Sequence, residues 1–317
     1  MSESTTQNYN HLKIHSQYSI CEGAIKIDDL KEFSKTNKIQ SLGLSDTTNL
    51  CGALEFAEKI SKVGTQPIIG TQINFKFNDT VGLLPLFALD EEGYKRIIKL
   101  SSFSFLNNDE LSVPHLDFNE LLEDTHGVAV LSGTIFGLFG QLFDKGKFTE
   151  IKDLYNKLKE KFGDRFYLEI QRHNDQNELS FEKFNLNKSL ELSIPLIATN
   201  EVFYLNKDMH EAHDALICIG RKTYINDKTR KRYSDQHYLK SNLEMAELFS
   251  DLPEALENNY NFPLRCNFRP SFSNPILPNI SSEKGGNADD ILRKDSLHGL
   301  KDKFHKVFGI KNNEIEN

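Results

Sequence analysis

The run His11-Leu12-Lys13-Ile14-His15-Ser16, continued through Cys21-Glu22-Gly23-Ala24, carries the residue types and spacing best suited to chemistry in this chain. Side chains two apart on a strand share one face, so Lys13 and His15 hold the two places a pair of metal-binding histidines would need. An ammonium has no lone pair at neutral pH and repels a bound cation, so Lys13 opposes a metal instead of ligating it. The run reads as a metal site that has been dismantled. His11 and His15 taken alone are better explained as structural hydrogen-bonding residues, because a single short motif is weak evidence.

The elements that must position these residues follow an α/β rhythm. Short apolar runs at Leu12–His15, Gln40–Ser45, Pro67–Phe75, Leu83–Leu89, Gly127–Ser132, Phe166–Gln171 and Ile194–Thr199 read as strands separated by helical patterns, the order of a parallel sheet with crossover helices. That many strands of this length suit a barrel better than a small open sheet. Leu50, Ala53, Leu54, Ala57 and Ile60 form a helical stripe opposite Glu55, Glu58 and Lys59. Asp28 and Asp29 fall in the first turn of a helix running to Asn37, at the positive end of its dipole. Ser271 to Asn287, rich in Pro, Ser, Asn and Gly, reads as a linker. Ala288 to Val307 returns to a helical pattern with Ile291, Leu292, Leu297, Leu300 and Phe304 as apolar positions, followed by a polar tail from Lys311 to Asn317.

At 317 residues the chain accommodates one domain of about 250 residues plus an extension. Cys21, Cys51, Cys218 and Cys266 are widely spaced and form no disulfide framework, which suits reduced thiols and a soluble, cytoplasmic protein. No apolar run is long enough for a membrane span and the first ten residues are polar, so no membrane partner is expected. A net charge of −8 argues against nucleic-acid binding by the domain on its own. The local exception is Arg221, Lys222, Lys228, Arg230, Lys231 and Arg232, of which Arg221, Lys222, Arg230, Lys231 and Arg232 are candidates for phosphate contacts.

Several blocks, taken in order, resemble the N-terminal PHP domain (polymerase and histidinol phosphatase domain) of bacterial replicative DNA polymerase III alpha subunits, of the proteobacterial type. They are His11 to Ala24, Leu44 to Ala53, Pro67 to Gly70, Gly93-Tyr94, Val130 to Gly133, Tyr167 to Gln171 and Ala198 to Asn200. The most distinctive come late: Ala212 to Leu216, His237 to Ser241, Met245 to Phe249 and Leu252 to Leu256. The resemblance runs from Tyr9 to Phe304. It implies a distorted seven-stranded βα barrel, with residues 1–8 disordered, a PHP domain over 9–270, a linker over 271–287, and 288–317 beginning the connection to a polymerase palm domain that the chain lacks.

Intact members of the family bind metal ions at the C-terminal end of that barrel. By the resemblance, this chain keeps His15 and Asp46 and fills the remaining positions otherwise: Lys13, Thr47, Leu83 and Phe203 stand for histidines, Glu22 and Glu201 for aspartates, Gln72 for a glutamate and Thr134 for a cysteine. Thr, Leu and Phe offer no strong ligand, and an amide is weaker than a carboxylate. The resemblance therefore implies a vestigial site with no metal, no catalytic residue and no cofactor in this chain; Mg²⁺ belongs to the palm. Lys13 is expected to pair with Glu22, Asp46 or Glu201 and to replace the cation structurally, with Leu83 and Phe203 packing where imidazoles would converge. His173, His210 and His213 are expected to make local hydrogen bonds. The function implied is a non-catalytic scaffold in DNA replication that docks the separate 3′–5′ proofreading exonuclease subunit and the rest of the replicase, touching DNA only within the full polymerase. The competing function is a metal-dependent phosphoesterase or proofreading nuclease. Phe103, Phe105, Tyr233 and Tyr238 are candidate exposed aromatics for docking.

Overall fold

The computed structural model describes residues 9–108, 112–275 and 287–309, which divide between two compact units, Met1–Ser271 and Phe272–Asn317. The expected tails at 1–8 and 311–317 and most of the expected linker lie outside the described residues. The first unit opens with β1 (Lys13–Ile14), α1 (Ile27–Asn37), β2 (Ser41–Thr47), α2 (Ala53–Ser61), β3 (Gln66–Phe77) and β4 (Thr80–Ala88). It continues through α3 (Glu91–Leu106), β5 (Leu116–Asp117), α4 (Phe118–Glu123), β6 (Val128–Leu131), α5 (Leu138–Asp144), α6 (Phe148–Phe162) and β7 (Phe166–Ile170). It ends with α7 (Glu178–Leu192), β8 (Leu196–Ala198), β9 (Glu201–Val202), α8 (His210–Arg221), α9 (Asn242–Leu248) and α10 (Pro253–Asn261).

The main sheet has seven strands in the order β2-β3-β4-β6-β7-β8, with β5 on β3, while β1 pairs with β9 in a short parallel ribbon. Pairing is parallel at β2/β3, β6/β7 and β7/β8, each joined through helices as the sequence rhythm requires. It is antiparallel at β3/β4 and β4/β6, which corrects the expectation of an all-parallel order. The reason lies in Asn78-Asp79: Asn78 adopts φ of +54°, a left-handed geometry Asn tolerates, and the chain reverses there without a helix. Residues 76, 77 and 80–82, between two separate expected strands, thereby become ladder residues of one long hairpin.

Strand alternation builds the interior. Ile68, Phe87, Ala129, Leu131, Tyr167 and Ile197 cluster with Leu12 and Phe262 on the concave face of the sheet. Their sequence neighbours Ile69, Leu86, Val130, Leu168 and Ala198 pack outward under the helices. Continuing the same inward rows with a period of two leads from Ile68 to Gln72, from Phe87 to Leu83, from Tyr167 to Glu169 and Gln171, and from Ile197 to Thr199 and Glu201. An apolar layer thus lies beneath a polar one, the polar layer standing toward the C-terminal ends of the parallel strands. The helices are sealed by local chemistry: Asp90 caps α3, and Asp117 with Glu120 and Ser241 with Glu244 form capping boxes on α4 and α9.

Helix α2 buries Ala53, Phe56, Ala57 and Ile60; Phe56 belongs to the stripe and Leu54 sits at its margin. All four cysteines are free thiols, Cys218 and Cys266 being buried. In the second unit, α11 (Ala288–Phe308) is capped by Asn287 and stopped by Gly309 in left-handed geometry. Leu292, Leu297 and Leu300 on it are exposed. Among the described residues no helix is long and apolar enough to cross a membrane.

The residues leading into β1 lean on β2 through Gly43, whose N–H donates to the His11 carbonyl at 2.7 Å. A Cβ at Gly43 would stand 2.4 Å from the Leu12 carbonyl oxygen and 2.6 Å from its Cα. Gly43→Val should therefore lower stability by about 1–3 kcal/mol, the usual cost of overpacking a core, read as a shift in the urea midpoint. An unchanged midpoint would show that the Leu12 backbone yields freely.

Candidate functional site

Lys13 is 0% exposed, and its ammonium stands 3.2 Å from Glu169 Oε1 and 3.4 Å from Glu201 Oε2. Of the three carboxylates expected as partners only Glu201 is one; Glu169 takes the second place. Lys13 Nζ and Glu169 Oε2 make no hydrogen bond of normal geometry, so the contact is held by charge in a buried setting. Glu169 Oε1 is further fixed by the Gln171 amide at 2.7 Å and by a short bond from the Thr199 hydroxyl. Burial alone would raise the Glu201 carboxyl; Lys13, and after it His15 and Gln72, outweigh that and hold it well below the usual carboxylate range.

His15 Nε2 lies 2.9 Å from Glu201 Oε1, and the Gln72 amide donates to the same oxygen at 2.6 Å. Phe203 stacks on the His15 ring at a centroid distance of 4.5 Å. Two other carboxylates named from the sequence, Asp46 and Glu22, are held locally. Asp46 accepts from the Ser16 N–H at 2.7 Å and from the Ser16 and Ser19 hydroxyls at 2.8 and 2.7 Å, while burial pushes its carboxyl upward against those bonds. Glu22 accepts the Thr47 hydroxyl at 2.6 Å. His15, Glu22, Thr47, Gln72, Leu83, Thr134, Glu201 and Phe203 line one cleft of about 420 Å³; Lys13 lies behind it against Glu201, and Asp46 is held apart by Ser16 and Ser19. Eight of the ten positions named from the sequence thus share this cleft.

This donor set does not fit a cluster of metal ions. A buried ammonium sits against two of the carboxylates, and His15 and Gln72 are turned onto Glu201. Leu83 and Phe203 present carbon, and multinuclear sites need several anionic or imidazole donors converging on each ion.

A second cluster was missed by sequence reasoning. The rings of His173 and His237 stack 4.0 Å apart and parallel within 1°, and together they grip the Glu201 peptide. The Glu201 N–H donates to His173 Nε2 at 3.1 Å, and His237 Nδ1 donates to the Glu201 carbonyl at 3.0 Å. Glu178 and Asp175 occupy the far nitrogens at 3.2 and 3.0 Å. Burial, then the neighbouring His237 and Lys240, hold His173 well below the usual imidazole range. His173, Asp175 and His237 bring ligand atoms close together, yet an ion bound by imidazole lies in the plane of the ring, and parallel rings share no such plane. Their geometry is that of a clamp that positions Glu201. Glu169 carried a legible signal, a charge between apolar neighbours in a strand; His237 carried none, since only the fold brings it to His173.

His210 and His213 bond to the carbonyls of Tyr233 and Glu22 at 2.9 and 2.8 Å. Of the basic run, Arg230 is tied to buried Asp214 at 2.6 Å, and Arg232 reaches Glu211 at 2.5 Å. Lys231 turns inward over the rings of Phe136 and Tyr233, at 4.7 and 4.4 Å from their centroids. Arg221 and Lys222 stand exposed at the end of α8, so the run is not one basic surface. Tyr233, expected to be exposed, is only 8% exposed because its ring packs on Phe203 and His237; Phe103 and Phe105 are exposed and Tyr238 is half-buried.

The main sheet is a curled half-barrel, and the sequence pattern of the PHP domain matches residues 11–173. The chain belongs to the PHP domain family. It is 39% identical to the DNA polymerase III subunit alpha of Rickettsia conorii over 97% of this chain and 26% of that protein. The same subunit of Caulobacter vibrioides is 35% identical over 95% of this chain and 27% of its own length, and that of Vibrio cholerae 33% identical over 94% and 26%. The chain thus spans about a quarter of the length of these relatives. A solved two-domain protein from Bacteroides vulgatus containing a predicted PHP-like metal-dependent phosphoesterase aligns at 12% identity and a TM-score of 0.39, covering 75% of this chain and 62% of its own.

Removing one member of a buried ion pair typically costs about 3–5 kcal/mol. Lys13→Met should lower the urea midpoint accordingly, and adding Glu201→Gln should restore part of the loss by removing the stranded charge. An unchanged midpoint in the single variant would show that Lys13 carries no structural load. Burial pushes His11 and His213 from an ordinary 6.5 down to about 4. The unfolded chain therefore binds more protons between those values, and the stability each contributes is lost as pH falls from 6.5 toward 4. Glu178, pushed up to about 7 by burial and by Asp175, acts in the opposite sense as pH rises. His213→Gln removes one of these titrations, so the stability gap between it and the native chain should narrow as pH falls from 7 to 4 in urea melts. A constant gap would refute the assignment.

Proposed function

We propose that this chain is the PHP region of a replicative DNA polymerase alpha subunit and acts there as a metal-free, non-catalytic scaffold that docks the 3′–5′ proofreading exonuclease. The observation that carries this reading is the Lys13 ammonium between Glu169 and Glu201. A cation built into the chain offsets the repulsion of carboxylates that would otherwise require bound ions. The same pair, with His15 and Gln72 turned onto Glu201, keeps the C-terminal rim of the barrel rigid without a ligand. Identity to alpha subunits across nearly the whole chain supports the replication context.

Elemental analysis after dialysis against metal-free buffer should find less than one equivalent of zinc or manganese per chain. Primer-extension and exonuclease assays with Mg²⁺, Mn²⁺ or Zn²⁺ should show neither synthesis nor digestion. Two or more tightly held metal equivalents, or metal-dependent digestion that disappears in His15→Ala, would establish the phosphoesterase or nuclease reading instead.

A further inference from the structure

The histidine clamp on the Glu201 peptide determines where its own hydrogens lie. A backbone N–H only donates, so His173 Nε2, 3.1 Å from the Glu201 nitrogen, offers a lone pair. The hydrogen of that ring is then on Nδ1, which faces Glu178 Oε1 at 3.2 Å. His173 is satisfied as a neutral imidazole.

Its stacked partner is not. A carbonyl only accepts, so His237 Nδ1, 3.0 Å from the Glu201 carbonyl oxygen, carries a hydrogen. The other nitrogen, Nε2, stands 3.0 Å from Asp175 Oδ2, and an ionised carboxylate also only accepts. A neutral His237 would therefore set a lone pair against a carboxylate inside the fold, where the two side chains are 2% and 7% exposed. A hydrogen between them removes the conflict, and it rests on the imidazole, which is ordinarily the stronger base. The stack accepts one such charge and not a second. The rings lie 4.0 Å apart, and burial, then His237 and Lys240, hold His173 well below the usual imidazole range. Among the other charges acting on the stack, Glu201 favours an imidazolium while Lys13 and Lys240 oppose it, so the Asp175 carboxylate in contact is decisive.

We infer that His237 carries a hydrogen on each ring nitrogen, and with it a positive charge, and that this imidazolium is the positioning group for Glu201. The backbone of Glu201 is then held by one internal cation, and its carboxylate by another, the Lys13 ammonium at 3.4 Å. Charge-assisted hydrogen bonds are roughly twice as strong as neutral ones, which suits a β1/β9 ribbon of two residues on each side. The assignment rests on donor and acceptor geometry and is independent of the docking function.

One-bond ¹H–¹⁵N correlations of the imidazole rings in the labelled native chain at neutral pH test it. Both nitrogens of His237 should show a bonded hydrogen and only Nδ1 of His173, each ring being assigned by the signals lost in His237→Gln and His173→Gln. In Asp175→Asn the amide is able to donate to Nε2, so His237 should keep the hydrogen on Nδ1 alone. Amide exchange at Glu201 and Val202 should then speed up about tenfold, while Val130 on β6 changes less than twofold. Glu178→Gln retains an acceptor for His173 Nδ1 and should leave the pattern of the native chain intact. A native His237 with a bare Nε2, or a native His173 with hydrogens on both nitrogens, overturns the assignment, and the native spectrum decides this even where a variant fails to fold. A His237 that keeps both hydrogens in Asp175→Asn overturns the part given to Asp175. Loss of the hydrogen in that variant with unchanged exchange at Glu201 overturns the positioning role.

Discussion

A buried ammonium facing two buried carboxylates is the constraint on which the rim of this curled sheet depends. Desolvating three charges costs several kcal/mol each unless they compensate one another at close range. Here the compensation joins strands distant in sequence: Lys13 on β1, Glu169 on β7 and Glu201 on β9. The β1/β9 ribbon is only two residues long on each side, so the backbone ladder alone would hold it weakly. The charge triad, together with the histidine clamp on the Glu201 peptide, supplies the restraint that the short ladder lacks.

The polar layer is satisfied almost entirely from within. Ser16 and Ser19 hold Asp46, Thr47 holds Glu22, and Gln171 and Thr199 hold Glu169, so nearly every carboxylate of the rim has a donor from the chain. Buried polar networks of this kind rigidify when complete.

The loop from Lys222 to Lys240 serves two structures at once. Its arginines return to α8 through Asp214 and Glu211, and its Tyr233, His237 and Lys240 side chains fill the space around Phe203, Glu201 and Asn200. Lys231 turns to the inner side, where it forms no ion pair among the described residues but lies within the field of Glu22 and Glu201. A charge pattern that looks uniform in sequence is thus divided by the fold into arginines matched by Asp214 and Glu211, exposed Lys222 and Lys228, and inward Lys231 and Lys240.

The sequence by itself showed the apolar runs that become β1 to β4 and β6 to β8, the stripe of α2, and the start of α1, where Asp28 and Asp29 mark a first turn wherever that helix packs. The cleft positions were indicated by the family resemblance and not by periodicity, since Gln72, Leu83 and Glu201 stand on three different strands. Tertiary structure alone decided which charges meet. Lys13 found Glu169 instead of Glu22 or Asp46, because Ser16, Ser19 and Thr47 claim those two carboxylates at shorter range. It also stacked His173 on His237 and buried Tyr233. Each of these depends on distances between segments far apart in the chain, which neither periodicity nor spacing encodes.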